Sequence, residues 1–264
     1  MISIVIRNKN EGQALENVLS ILTKLYSEDI YEIIIVDNNS SDNSISIANH
    51  YNCKVVTIDE FTYGSATNLG ISSANSKYVL LLSAHAIPIG KSFFKNTFQE
   101  LEKSNTIAGI RFINSIENYN RALLNDFKVK EPLKYGLMTG CAVVNKEIWI
   151  DNKFDENLTF SEDKEWSERV VKKGFDILDI NETFFYFIKR DQKSLLNRYK
   201  NENISYYLLY NKKYYGTIVI LLSFFKKVLY TNTINYFKSA SYDLKILKIK
   251  FEIKKYLKQN GKSK

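Results

Sequence analysis

Several strand-like runs in this sequence are followed by polar side chains that could do chemistry. Asn10 and Glu11 come just after the first run, Asp37 ends the second, and His85 stands in "SAHAIP" directly after the fourth. A carboxylate in such a place can accept a proton or hold a cation, and an imidazole can do either or ligate a metal. Each also has a plain reading, Asp37 as a turn or cap residue and Glu11 as a first-turn acid on the following helix. Their shared position sets them apart, because the carboxyl ends of the strands in an open parallel sheet form the ligand crevice. Farther along, "SEDKEWSERVVKK" (161–173) reads as a helix capped by Ser161 and ended by Gly174, with Glu162 and Asp163 in its first turn. Taken alone, these two acids satisfy a helix dipole.

The elements that must position these groups alternate regularly. Strands are expected at "ISIVI" (2–6), "YEIIIVD" (31–37), "CKVVTI" (53–58), "YVLLL" (78–82) and "TIAGIRFI" (106–113). Helices are expected between them, the clearest being the apolar series Ala14, Leu15, Val18, Leu19, Leu22 and Leu25 and the amphipathic stretch 91–103. This succession implies an α/β, doubly wound and mostly parallel sheet flanked by helices. Residues 114–135 are polar and irregular and read as a mobile loop over the sheet edge. "GCAVVN" (140–145) resumes as a strand with a short helix behind it.

Composition and motifs narrow the function. The net charge of +8 favours an anionic partner, whether a phosphorylated small molecule, an anionic membrane or nucleic acid. No nucleic-acid motif is recognised, and much of the lysine excess lies in one tail, so nucleic acid ranks last. The two cysteines, Cys53 and Cys141, are too few for a disulfide or zinc scaffold. With a strand at the very start and no signal peptide expected, the reading is cytoplasmic. "PIGKS" lacks the first glycine of a P-loop, and Gly64 and Gly70 do not complete a dinucleotide fingerprint.

The strings "ISIVIRNKNEG", "EIIIVDNNSSDNS", "YGSATNLGISSANSKYVLLLSAHAIP" and "FSEDKEWSERVVKKGF" resemble, in order and spacing, the inverting family 2 glycosyltransferases of the GT-A fold over roughly residues 1–188. The resemblance implies transfer from a nucleotide-sugar donor to a hydroxyl of a glycan or lipid-linked glycan, as in bacterial surface-polysaccharide synthesis. It implies that Asp37 contacts the nucleotide base, that Asn10 and Glu11 line its pocket, and that Asn68 lies beside it. It makes Asp163 the general base and Glu162 its positioning neighbour, with Gly140 on the acceptor side and Arg169 at a basic position after the acids. Trp166 stacks on an acceptor sugar or packs in the core.

The chief departure is "SAH", which replaces the D-x-D motif whose last acid binds a divalent metal. His85 then faces the diphosphate, either through Mn2+ or Mg2+ or without metal, the charge being met by Arg7 or by the imidazole itself. The missing acids leave open an alternative, a catalytically degenerate GT-A domain that binds a nucleotide or partner without turnover.

The expected division is a GT-A domain over 1–190 and a helical extension rich in lysine and tyrosine over 191–264. Its longest apolar run, "TIVILLSFF" (217–225), is about half of a membrane span. Tyr206, Tyr207, Tyr210, Tyr214 and Tyr215 near Lys212 and Lys213, with the lysine-rich end, suit peripheral contact with an anionic membrane. A solvated helical cap with packed tyrosines fits the same residues. The alternation of Ile249, Phe251 and Ile253 with charges also has a strand-like reading.

Overall fold

The computed structural model describes residues 1–188 and 191–259. The chain divides into two units, Met1–Asn211 and Lys212–Lys264. In the first, the strands are β1 (Ile2–Asn8), β2 (Ile30–Asp37), β3 (Lys54–Thr57), β4 (Tyr78–Ser83), β5 (Ala86–Ile89), β6 (Ile107–Phe112), β7 (Cys141–Asn145), β8 (Asp176–Ile180) and β9 (Thr183–Tyr186). The helices are α1 (Gly12–Leu25), α2 (Ser44–His50), α3 (Tyr63–Ser73), α4 (Phe93–Leu101), α5 (Ile116–Leu124), α6 (Pro132–Tyr135), α7 (Lys146–Trp149), α8 (Glu162–Lys172) and α9 (Gln192–Leu209).

Seven strands form one sheet in the order β3-β2-β1-β4-β7-β6-β8, and β5 pairs with β9 in a separate ribbon. The sheet is mixed but mostly parallel, because β7 alone runs antiparallel to both neighbours, β4 and β6. The chain winds outward from β1 through β2 to β3, then restarts on the other side of β1 with β4. That reversal of direction opens a crevice at the carboxyl ends of β1 and β4. The reversed β7 brings its amino end to the same edge, so the loop before it joins the crevice.

The strands are apolar without alternation because both faces are covered. On one face Ile2, Ile4, Ile6, Leu80 and Leu82 pack with Leu15, Leu19, Leu22, Phe93 and Phe94. On the other, Val5, Val79 and Leu81 pack with Ala66, Ile71, Trp166 and Val170. Gly70 permits that second contact, since a Cβ there would stand 2.2 Å from Val5 Cγ1.

Two expectations need correction. Residues 114–135 are not an irregular loop but hold α5 and α6. Ser115 caps α5 by accepting from the Asn118 amide, and Pro132 starts α6. Their polarity hid them, since Ala122 is the one buried residue of α5. Ser161 occupies the N-cap position of α8 but does not cap with its side chain; its φ of 64° turns the chain left-handed instead.

In the second unit, Thr217–Phe225, a π-helical turn at Lys226–Thr231 and Asn232–Gln259 follow one another without a break. The strand-like alternation at 249–253 therefore lies on helix. Over Thr217–Tyr256 this helix is long and apolar enough to cross a membrane by length and composition, with none of the apolar window buried.

Candidate active site

One cleft of about 1170 Å³ runs along the crevice edge of the sheet. It is lined from β1 by Arg7 and Asn8, after β4 by Ala84 and His85, before β7 by Thr139 and Gly140, and from α8 by Glu162 and Asp163. The volume is ample for a nucleotide-sized ligand and a second reactant.

The centre of the site is Arg7. Its guanidinium donates to Thr67 Oγ1 and Thr139 Oγ1, each at 3.1 Å, and stands 3.5 Å from Glu162 Oε1 and 5.1 Å from the Tyr63 ring centroid. Thr139 Oγ1 also donates to Glu162 Oε1 at 3.3 Å, and its amide reaches Asp163 Oδ2 at 3.4 Å. Thr139 thus ties the end of β1 to the start of α8. No sequence signal marked it beyond its place beside Gly140.

Burial sets the titration of the acid pair. Loss of water raises the Glu162 carboxyl well above its ordinary range, and the neighbouring Asp163 charge raises it further against the pull of Arg7. Burial also raises Asp163, but Lys164, two backbone amides and Arg7 draw it back. The two carboxyls titrate as a coupled pair, and burial raises both. Glu162 is engaged by the Arg7 guanidinium and the Thr139 hydroxyl, whereas Asp163 lines the cleft and accepts from the backbone amides of Thr139 and Lys164, so Asp163 is the acid placed to accept a proton.

At the β4 end, His85 Nε2 lies 3.3 Å from Glu11 Oε1. The Phe187 amide donates to the His85 carbonyl at 3.0 Å, and the two rings meet edge to face. Imidazole and carboxylate together offer two donors to a cation. Among the described residues no group of three His, Cys, Asp or Glu could hold a metal. Small divalent cations often keep water and take most ligands from substrate phosphates. Two protein donors thus fit a cation carried in on a diphosphate, but not one held by the protein alone.

The other residues singled out from the sequence divide into two sets. Gly140 lines the cleft, its carbonyl accepting from the Ser83 amide. Asp37 is 2% exposed and lies behind the cleft wall formed by Asn8 and Asn38. Its carboxylate accepts from Asn8 Nδ2 and from the Ser40 amide and hydroxyl. Asn10 takes φ 52° and fastens the same loop, accepting from the Ser41 amide.

Three residues sit away from the cleft. The Asn68 amide is fully used, donating to the Phe154 carbonyl and Glu156 and accepting from Trp149 Nε1 and the Phe154 amide. Gly64 belongs to the same join, since a Cβ there would lie 2.4 Å from the Asp155 carbonyl oxygen. The "GSATNLG" segment is thus a packing device between α3 and the loop before α8. Trp166 is fully buried, stacked on Phe154 and bonded to the Asn152 carbonyl, so it belongs to the core and not to an acceptor platform. Arg169 pairs with Glu165 along its own helix.

The sequence model of glycosyl transferase family 2 matches residues 3–144. No curated protein matches the sequence. Among solved structures, the chain is similar to the mannosyltransferase PcManGT from Pyrobaculum calidifontis in complex with GDP-Man and Mn2+, at 15% identity and TM-score 0.56, covering 68% of this chain and 54% of that one. S. aureus TarS in complex with UDP-GlcNAc gives 15% and 0.58, covering 74% and 60%. Glucosyl-3-phosphoglycerate synthase from Mycobacterium tuberculosis, in complex with Mn2+, UDP and glucosyl-3-phosphoglycerate, gives 15% and 0.59, covering 82% and 81%. The chain therefore spans little more than half the length of the first two. These likenesses establish the GT-A-like fold, and the family match covers the sheet edge on which Arg7, His85 and Thr139 meet; the chain belongs to glycosyl transferase family 2.

Proposed function

We propose that the protein transfers a sugar from a nucleotide-sugar donor to a hydroxyl of a glycan or lipid-linked glycan in bacterial surface-polysaccharide assembly, with inversion at the anomeric carbon. The observation that carries this reading is the shared cleft of His85, Arg7 and Asp163. The acceptor hydroxyl attacks the anomeric carbon, its proton passes to a carboxylate oxygen of Asp163, and the nucleoside diphosphate leaves from the opposite face. Glu162, braced by Arg7 and Thr139, fixes the turn that aims Asp163. Asn8 and Asn38 face the nucleotide end, with Asp37 and Asn10 shaping the loop behind them.

The similar structures from Pyrobaculum and Mycobacterium are complexes with Mn2+. Here His85 and Glu11 would hold such a cation together with the donor's phosphates, and its chemistry would be to neutralise charge on the leaving diphosphate. Nucleoside diphosphate release across a panel of donors, with and without Mn2+, tests the reading. Release with one donor supports it; bound nucleotide with no release from any donor and acceptor would point to the degenerate domain. His85→Ala is expected to weaken nucleoside diphosphate binding about tenfold in titration calorimetry, and an unchanged affinity would remove His85 from the diphosphate site.

The second unit supports membrane contact. Every side chain of Thr217–Phe225 is free of burial, with Lys212 and Lys213 before the segment and Lys226 and Lys227 after it. A lysine at mid-bilayer costs about 2.5–3.5 kcal/mol, so the pair at 226–227 favours a helix seated in an anionic surface over one that crosses. The full chain should sediment with vesicles containing anionic lipid. Serine at Leu221, Leu222, Phe224 and Phe225 should abolish this, and a wild-type protein left in the supernatant would overturn the reading.

A further inference from the structure

Arg111 is a charged side chain in the cleft that the transfer chemistry above does not use. It stands near the carboxyl end of β6, 6% exposed, and lines the cleft. Across the sheet its neighbour is Asp179, itself 2% exposed. That carboxylate is shared. Arg121 Nη2 is 2.6 Å from Asp179 Oδ1, while Arg111 Nη1 is 3.4 Å from the same oxygen.

Two guanidinium groups thus meet one carboxylate, which leaves an excess positive charge in a place poor in water. The hydrogen bonds do not close either. Among the described residues, Nε and Nη1 of both arginines and Asp179 Oδ2 are buried without hydrogen-bond partners. Buried polar groups in folded proteins are nearly always satisfied, so such a concentration calls for a missing partner. Arg121 has the Tyr135 ring 4.8 Å away. Arg111 has the cleft.

The charges around it do not cancel the excess. Lys134 and Lys164 line the same region and add to it. Of the cleft's acids, Glu162 faces Arg7, Glu202 faces Arg198 and Glu11 faces His85. Asp163 attracts Arg111 electrostatically, but its hydrogen bonds go to the amides of Thr139 and Lys164.

We propose that the Arg111 end of the cleft is a subsite for an anionic group, phosphate or carboxylate, carried by the acceptor. The inference rests on the glycosyltransferase reading and adds the chemical class of the acceptor. Nη2 of Arg111, the one guanidinium nitrogen not among those buried atoms, is the donor left for such an anion, through a charge-assisted hydrogen bond. With the anion on Arg111, a hydroxyl of the same molecule is brought to Asp163.

The test is calorimetric titration of inorganic phosphate into the full chain, with the donor end first filled by whichever nucleoside diphosphate binds. Wild-type protein should bind phosphate, and Arg111→Gln should weaken that binding tenfold or more without changing nucleoside diphosphate affinity. Arg111→Lys keeps the charge, loses the guanidinium that spans Asp179 and the cleft, and should fall between; it also serves if the glutamine variant does not fold. Equal phosphate affinity in wild type and the variants, or no phosphate binding by wild type, would overturn the subsite. Failure of every nucleoside diphosphate to bind would instead remove the donor reading, and the same comparison on nucleotide-free protein would still decide the subsite. Displacement of phosphate by glycerol 3-phosphate would mark a soluble acceptor, and displacement by vesicles bearing a lipid phosphate a membrane-borne one.

Discussion

Asp163→Asn should lower turnover by about 10²–10⁴-fold, the usual contribution of a positioned general base, while nucleoside diphosphate affinity stays at its wild-type value. The amide keeps the size of the side chain, and its one oxygen can still accept from the Lys164 amide at the Oδ1 position, so the shorter of the two bonds that hold the start of α8 is preserved while the 3.4 Å contact with the Thr139 amide is given up. What it loses is the basic oxygen that takes the acceptor's proton. Residual turnover within a factor of a few of wild type would dismiss Asp163 as base. The same residue sets the pH dependence. Because burial raises both acids of the pair, the acid limb of the kcat/KM profile should lie above the ordinary carboxylate range. Activity then rises with pH as Asp163 ionises. For stability the sign is opposite: a carboxyl raised in the folded state favours folding at acid pH, and that contribution is lost as pH climbs through the raised value.

Trp166→Ala should destabilise the protein by about 3–5 kcal/mol, the range for emptying a large aromatic site in a packed core. The indole is fully buried in the core cluster that also holds Val170, with the Phe154 ring 5.0 Å away and nearly parallel, and its nitrogen donates to the Asn152 carbonyl. Denaturant unfolding would show the loss as a lower midpoint. A sugar platform would behave differently, with an unfolding curve close to wild type and a raised acceptor KM. Trp166→Phe adds a second reading, since it keeps a ring and loses the hydrogen bond. It should leave acceptor KM unchanged while still costing stability.

The sheet was legible because its strands are long, apolar and spaced by helical repeats, and buried strands such as Val79–Leu82 leave little else for the chain to do. Glu162 and Asp163 were legible as a pair at a helix start. Other readings failed for a common reason, namely that residue type does not reveal orientation. Asn68 and Trp166 carry hydrogen-bonding or stacking groups that suit a ligand, yet both turn toward the loop 152–156. Arg111 went unnoticed because a lone arginine in "TIAGIRFI" looks like an exposed strand position. Its meaning appears only when β8 supplies Asp179 and α5 supplies Arg121. The helices α5 and α6 were hidden for a related reason, since short polar segments give almost no periodic signal.

The brace of Arg7, Thr139 and Glu162 has one more consequence. The family match ends at residue 144, so Arg7 and Thr139 lie inside it and Glu162 lies outside. The brace is therefore a seam that fastens the start of α8, and with it Asp163, to the part of the sheet that the family match covers. A side chain at 162 too short to reach the Arg7 guanidinium would unfasten the two pieces of chain from one another without touching either reactant.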